Sequence, residues 1–203
     1  MYLDNAATTP VRREALEAMW PFLTGEFGNP SSHHEVGERA AAALAAARAQ
    51  IARVVGMRAS DVVFTSGGTE ADNLAIKGIA IAAVLQHGKR HLITTPIEHE
   101  AVLESAAYLT RVHGFEVTLL PVDGFGLVDI DAAAAALRDD TALVSVGYAN
   151  NEIGTVQDIA ALAALARARG IPFHTDAVQA AGWLPISAAE LGVDALSIAG
   201  HKF

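Results

Sequence analysis

The sequence predicts an α/β protein with a mainly parallel sheet covered by helices, and three observations carry that expectation. Short apolar runs of strand length, such as Ala142 to Gly147 and Ile171 to Phe173, alternate with longer Ala-rich stretches of helical spacing. The runs are near-continuously apolar rather than alternating, as strands buried on both faces are. The residues able to do chemistry follow the runs, which is where an open parallel sheet presents side chains to a ligand crevice.

Composition bounds the rest. The 203 residues are 52% hydrophobic, enough to bury a core as one domain or most of one. The net charge of -9, with acidic and basic residues dispersed, argues against a nucleic-acid surface. Met1-Tyr2-Leu3-Asp4-Asn5 has neither a basic region nor an apolar signal core, and no run reaches the roughly 18 apolar residues of a membrane span. The expectation is a cytoplasmic protein. There is no cysteine, so no disulfide, thiolate metal site or thiol nucleophile lies in these residues.

Residues 3 to 10 are turn formers ending at Pro10, and Val11 to Trp20 has helical spacing that is expected to stop at Pro21. Gly28-Asn29-Pro30-Ser31-Ser32-His33 reads as a linker with an Asn-Pro turn and a serine cap. Ala40 to Val55 is a packing helix of strong helix formers. Asp61 to Thr65 reads as a strand, and Ser66-Gly67-Gly68-Thr69-Glu70 opens a helix over Ala71 to Gln86. A glycine pair at that junction lets backbone N–H groups approach an anion at the positive end of the helix, although a tight turn capped by Thr69 fits equally well. No Gly-Lys-Ser/Thr and no G-x-G-x-x-G follows, which excludes the common nucleotide loops.

His91 to Thr95 is the next strand, and Pro96-Ile97-Glu98-His99-Glu100 leads into a helix over Ala101 to His113. Zinc-protease spacing would need a second histidine at Leu103. Phe115 to Leu120 reads as a strand, Pro121 to Asp129 as a loop, and Ala132 to Leu137 as a short helix. Ala142 to Gly147 leads into Tyr148-Ala149-Asn150-Asn151-Glu152, and a helix over Asp158 to Arg169 ends at Gly170. Ile171 to Phe173 leads into His174-Thr175-Asp176, and Ala195 to Ile198 leads into Gly200-His201-Lys202. A carboxylate and an amine at one sheet rim suit pyridoxal 5'-phosphate, which a lysine holds as a Schiff base while a carboxylate keeps its ring nitrogen protonated.

The wording of these segments narrows the reading. His174-Thr175-Asp176-Ala177-Val178-Gln179, Ser197-Ile198-Ala199-Gly200-His201-Lys202 and Leu3-Asp4-Asn5-Ala6-Ala7-Thr8-Thr9-Pro10 resemble, in order, motifs of the cysteine desulfurases of the class V aminotransferase family. The resemblance implies the three-layer, aspartate aminotransferase-like type I fold, with residues 1–15 as a segment near the active site and 16–203 as a large cofactor domain incomplete at its C-terminus. It implies Lys202 as the Schiff-base lysine, Asp176 on the pyridine nitrogen, and His99 stacked on the ring and moving protons. It also implies Gly68, Thr69 and His201 on the phosphate, Asn151 and Gln179 at the phenolic oxygen, and Asn5, Ala6 and Asn29 on the substrate side.

The implied activity is removal of sulfur from L-cysteine to give L-alanine and an enzyme persulfide, passed to an acceptor or scaffold protein by a homodimer. An aminotransferase, a selenocysteine lyase or a non-catalytic cofactor-binding fragment stay open as alternatives. The family commonly has serine where Ala199 stands, and one lost neutral hydrogen bond to the phosphate would cost on the order of 1 kcal/mol. In the family the chain runs on past the lysine, through a strand lying between those at Val62 to Thr65 and Ala195 to Ile198, to the catalytic cysteine. Residues 1–203 alone are therefore expected to be inactive and poorly stable.

Overall fold

The computed structural model describes residues 1–203, which form two compact units, Met1–Phe64 and Thr65–Phe203. In the first unit, helix α1 spans Arg13–Thr24 and helix α2 spans Glu35–Val55. Helix α1 does not stop at Pro21 but carries it inside. Proline removes a single backbone N–H, and the turn beyond it is held by Gly25 N–H donating to the Pro21 carbonyl (2.9 Å) and by Thr24 Oγ1 donating to the Trp20 carbonyl (2.9 Å). Helix α2 begins earlier than its alanine run, because His34, not a serine, caps it: the Nδ1 of His34 accepts from Gly37 N–H at 3.2 Å.

Asp61 to Thr65 is not a strand. A single 3₁₀ turn occupies Ala59–Asp61, and Val62 continues in extended backbone with no strand beside it. The residues are β-formers, but a strand exists only through its ladder. What holds the segment is α2, whose Arg48 donates from Nε to the Val62 carbonyl (3.3 Å) and lies over the Phe64 ring, 5.3 Å from its centroid.

The second unit is built on a five-stranded sheet in the order β2-β1-β3-β4-β5, every pairing parallel. Its strands are β1 His91–Thr94, β2 Glu116–Leu119, β3 Thr141–Ser145, β4 Phe173–Asp176 and β5 Ala195–Ser197. Helices α3 Gly68–His87, α4 Glu100–His113, α5 Ile130–Ala136, α6 Ile159–Ala168 and the short α7 Ala188–Leu191 connect or flank them. The inner strands β1 and β3 are buried throughout, whereas the edge strand β2 has exposed ends. Ile76 and Ala80 of α3, Leu92 of β1, Val102, Ala106 and Leu109 of α4, Phe115, and Ala142 and Leu143 of β3 form one apolar cluster. Burial of each large member stabilises the fold by roughly 1.5–3 kcal/mol.

This strand order puts a topological switch between β1 and β3, since the chain leaves β1 toward β2 and then returns across it to β3. The loops after β1 and β3 part there and leave a crevice at the carboxyl ends of the strands. His174, Thr175 and Asp176 lie within β4 rather than after it, so Asp176 is its last residue and faces that rim.

Candidate active site

Asp176 anchors the site. It ends β4 in register with Ser197 of β5, and its Oδ1 accepts from Val178 N–H at 2.9 Å. Burial pushes its carboxyl above the usual carboxylate range, opposed by the Val178 N–H and by the positive charge of His99 and Lys202 nearby. A buried acid in that state is stabilised by a cationic partner.

Three further groups converge on this rim. Lys202 closes the 3₁₀ turn Gly200–Lys202 that follows β5, with its N–H bonded to the Ala199 carbonyl at 3.1 Å, and His201 precedes it on an exposed position. His99 caps α4, its Nδ1 accepting from Ala101 N–H at 3.1 Å, so Nε2 takes no part in the cap, and its charge is felt at Asp176. Gln179 lies in the turn after β4, partly buried.

The start of α3 is the fourth element. Gly67 is its N-cap in extended conformation with no side-chain cap, so Thr69 does not cap it and the first N–H groups of the helix stay directed outward. Glu70 reaches back to accept from Ser66 N–H at 2.5 Å. A Cβ at Gly68 would stand 3.0 Å from Val178 Cγ2 and 3.5 Å from Ala199 Cβ, so glycine is what lets this helix end approach the segments after β4 and β5.

Asn151 donates from Nδ2 to Glu152 Oε1 at 2.7 Å, and the structure gives the more connected role to its neighbour. Asn150 donates from Nδ2 to the Ile97 carbonyl (2.7 Å), while its Oδ1 accepts from Glu152 and Ile153 N–H. Asn5 and Ala6 lie in an exposed turn closed by Ala7 N–H on the Asp4 carbonyl, and Asn29 makes an Asx turn, its Oδ1 accepting from Ser31 N–H at 2.9 Å; all three belong to the Met1–Phe64 unit.

Sequence reasoning missed a buried polar layer behind Asp176. His174 is fully buried, with Nδ1 on Ser145 Oγ (2.9 Å) and Nε2 on Ser197 Oγ (3.0 Å). Ser197 is thereby committed to His174 and is no substitute for a serine at position 199. Asp72 of α3, 1% exposed, lies behind it with Oδ1 lacking a hydrogen-bond partner. Burial first, then the charge of Asp176, pushes its carboxyl up to about 8. An Asp inside an apolar helix face gives only a weak sequence signal, namely its place four residues before Ile76 and eight before Ala80.

The description of the family model that matches residues 1–203 is aminotransferase class V. The chain belongs to the class V aminotransferase family. Among curated members, the cysteine desulfurase IscS of Dictyoglomus turgidum is 52% identical over 203 residues, covering all of this chain and 51% of the relative. The cysteine desulfurase IscS of Methanosarcina thermophila is 51% identical, covering all of this chain and 50% of its own length. Among solved structures, SspA in complex with cysteine superposes with a TM-score of 0.94 at 42% identity, over 99% of this chain and 57% of that one. The apo cysteine desulfurase from Thermococcus onnurineus NA1 gives 0.90 at 26% identity, over 99% and 50%. The chain thus spans about half the length of the relatives it matches.

Members of this family depend on pyridoxal 5'-phosphate, and the donor set fits that group. An uncapped helix start with a glycine approach suits its phosphate. The half-buried Asp176, its carboxylate favoured by positive charge nearby, suits the ring nitrogen, and an amine stands at the same rim in Lys202.

Proposed function

We propose that the intact protein is a pyridoxal-phosphate-dependent cysteine desulfurase that converts L-cysteine to L-alanine and leaves sulfur as an enzyme persulfide for iron-sulfur cluster or thio-cofactor assembly. The observation that carries this reading is the half-buried Asp176 carboxylate with His99 and Lys202 near enough to stabilise its charge, in a chain half identical to named desulfurases. When bound, pyridoxal phosphate supplies an electron sink conjugated to the substrate α-carbon.

The residues of this chain then divide the work. Asp176 holds the proton on the ring nitrogen, and the N–H groups at Gly68 and Thr69, with His201, take the phosphate. Asn151 and Gln179 serve the phenolic oxygen. Lys202 anchors the cofactor and carries a proton to and from the α-carbon, while His99 covers the ring face and uses Nε2 to move a proton at the substrate. The family resemblance assigns Asn5, Ala6 and Asn29 to the substrate side. The sulfur is taken by a cysteine thiolate, and these 203 residues contain none, so that thiolate comes from outside them and residues 1–203 alone form no persulfide.

The protein works as a cytoplasmic homodimer that hands sulfur to an acceptor or scaffold protein. No helix is long and apolar enough to cross a membrane. Incubating the full-length protein with L-cysteine, cofactor and a thiol reductant should yield alanine and sulfide in equal amounts. Production of a keto acid instead, or turnover restricted to selenocysteine, would replace this reading by an aminotransferase or a selenocysteine lyase.

A further inference from the structure

The loop between β1 and α4 is tied to the segment after β3 by side chains that none of the roles above uses. Glu98 accepts from Gly147 N–H with both carboxylate oxygens, at 3.0 and 2.9 Å, and from Thr95 Oγ1 at 2.7 Å. One residue away, Asn150 Nδ2 donates to the Ile97 carbonyl at 2.7 Å. The next N–H after Gly147, that of Tyr148, donates to the Asp176 carbonyl at 2.9 Å. A path of hydrogen bonds joined by the Gly147–Tyr148 peptide link therefore runs from Asp176 through the segment after β3 to the residue preceding His99.

We propose that Glu98 is a positioning residue for His99: anchored on Gly147 N–H and the Thr95 hydroxyl, it fixes the 96–99 turn across the switch point and so sets where the imidazole stands. The proposal rests on the desulfurase reading only for the role of His99. Its geometry has a second support in Gly147, where a Cβ would come within 2.8 Å of Glu98 Oε2, so the close approach of the carboxylate needs a glycine there. The ring of His99 is restrained from the other side as well, through Nδ1 on Ala101 N–H. A side chain held from both ends of a turn keeps the sub-ångström placement that proton transfer requires, and a displacement of about 1 Å can cost on the order of a hundredfold in rate.

The contact is also sensitive to protonation. The ionised carboxylate accepts from both donors, whereas burial, aided by the charge of Asp176, pushes Glu98 up to about 7. The other acid facing it is Asp72. Glu98→Gln keeps an acceptor for Gly147 N–H but cannot titrate.

The test uses the full-length protein, with and without cofactor. In cofactor-free protein, hydrogen exchange of the peptide covering 95–101, corrected for intrinsic rate, should rise about tenfold in Glu98→Ala and in Asn150→Ala while β4 keeps its protection. In Glu98→Gln it should stay within about twofold of wild type and show none of the pH dependence expected of wild type near pH 7. With cofactor and L-cysteine, Glu98→Ala should lower kcat about tenfold or more with KM within about twofold, and Glu98→Gln should restore kcat at neutral pH. Unchanged exchange at 95–101 in Glu98→Ala overturns the proposal, as does a loss of protection spread equally over the sheet that Glu98→Gln fails to rescue. If wild type makes no alanine, the functional reading falls, and the exchange measurement still decides the clamp.

Discussion

His174 Nε2 and Asp72 Oδ1 face each other at 3.6 Å inside the protein, yet they are not an ion pair. Burial pushes the imidazole down to about 4 and the carboxyl up to about 8, so at neutral pH both are uncharged. The stability of the fold then depends on Asp72 keeping its proton. Its folded value lies above the ordinary 3.8, so its contribution is complete below about pH 4 and is lost as pH rises toward 8. Urea unfolding of the wild type should show stability falling over that window by on the order of a few kcal/mol. Asp72→Asn should reduce the fall, leaving the part due to Glu98 and Asp176, which shift in the same direction. An equal slope in both proteins would contradict the assignment.

Phe173 opens β4 and is 1% exposed. It fixes the strand that carries His174 and Asp176. Phe173→Ala should cost about 3–5 kcal/mol, read from denaturant midpoints at unchanged m-value, because the cavity lies within a sheet that cannot collapse around it. A cost below about 1 kcal/mol would show that β4 is not set by this packing.

Gly68→Ala would bring a Cβ within 3.0 Å of Val178 Cγ2 at the start of α3. The expected result is a mild loss of stability and an apparent cofactor Kd raised about tenfold, since the helix end must shift by a few tenths of an ångström away from its anion. Isothermal titration with pyridoxal phosphate would measure it, and unaltered binding would remove Gly68 from the phosphate site.

Asp176→Ala should separate attachment from turnover. The cofactor would still be held at Lys202, seen as visible absorbance, but alanine formation should cease because nothing keeps the ring nitrogen protonated. Normal turnover in that variant would refute the role.

The sheet was legible where strands are buried on both faces, as their centres, Leu92 and Ile93 in β1 and Ala142 to Val144 in β3, are apolar without alternation. Val62 to Thr65 carries the same local signal and has no ladder, because propensity reports a residue's fit to a sheet and not the presence of a neighbour. Pro21 misled in the opposite direction, since one missing N–H is tolerated when the next turn has its own bonds. The residues with motif wording were visible because their spacing is local. Glu98, Asn150 and Asp72 were not, because their partners lie elsewhere in the chain: the Gly147 N–H is 49 residues from Glu98, and the Ile97 carbonyl 53 from Asn150.

The most direct measurement is to load the full-length protein with pyridoxal 5'-phosphate, reduce with borohydride, and map the modified peptide by mass spectrometry. A pyridoxyl group on Lys202 at about one per chain, absent in Lys202→Ala, is the predicted result. Modification of Lys77 or Lys89 instead, or no stable adduct in the wild type, would contradict the placement of the cofactor at the Asp176 rim.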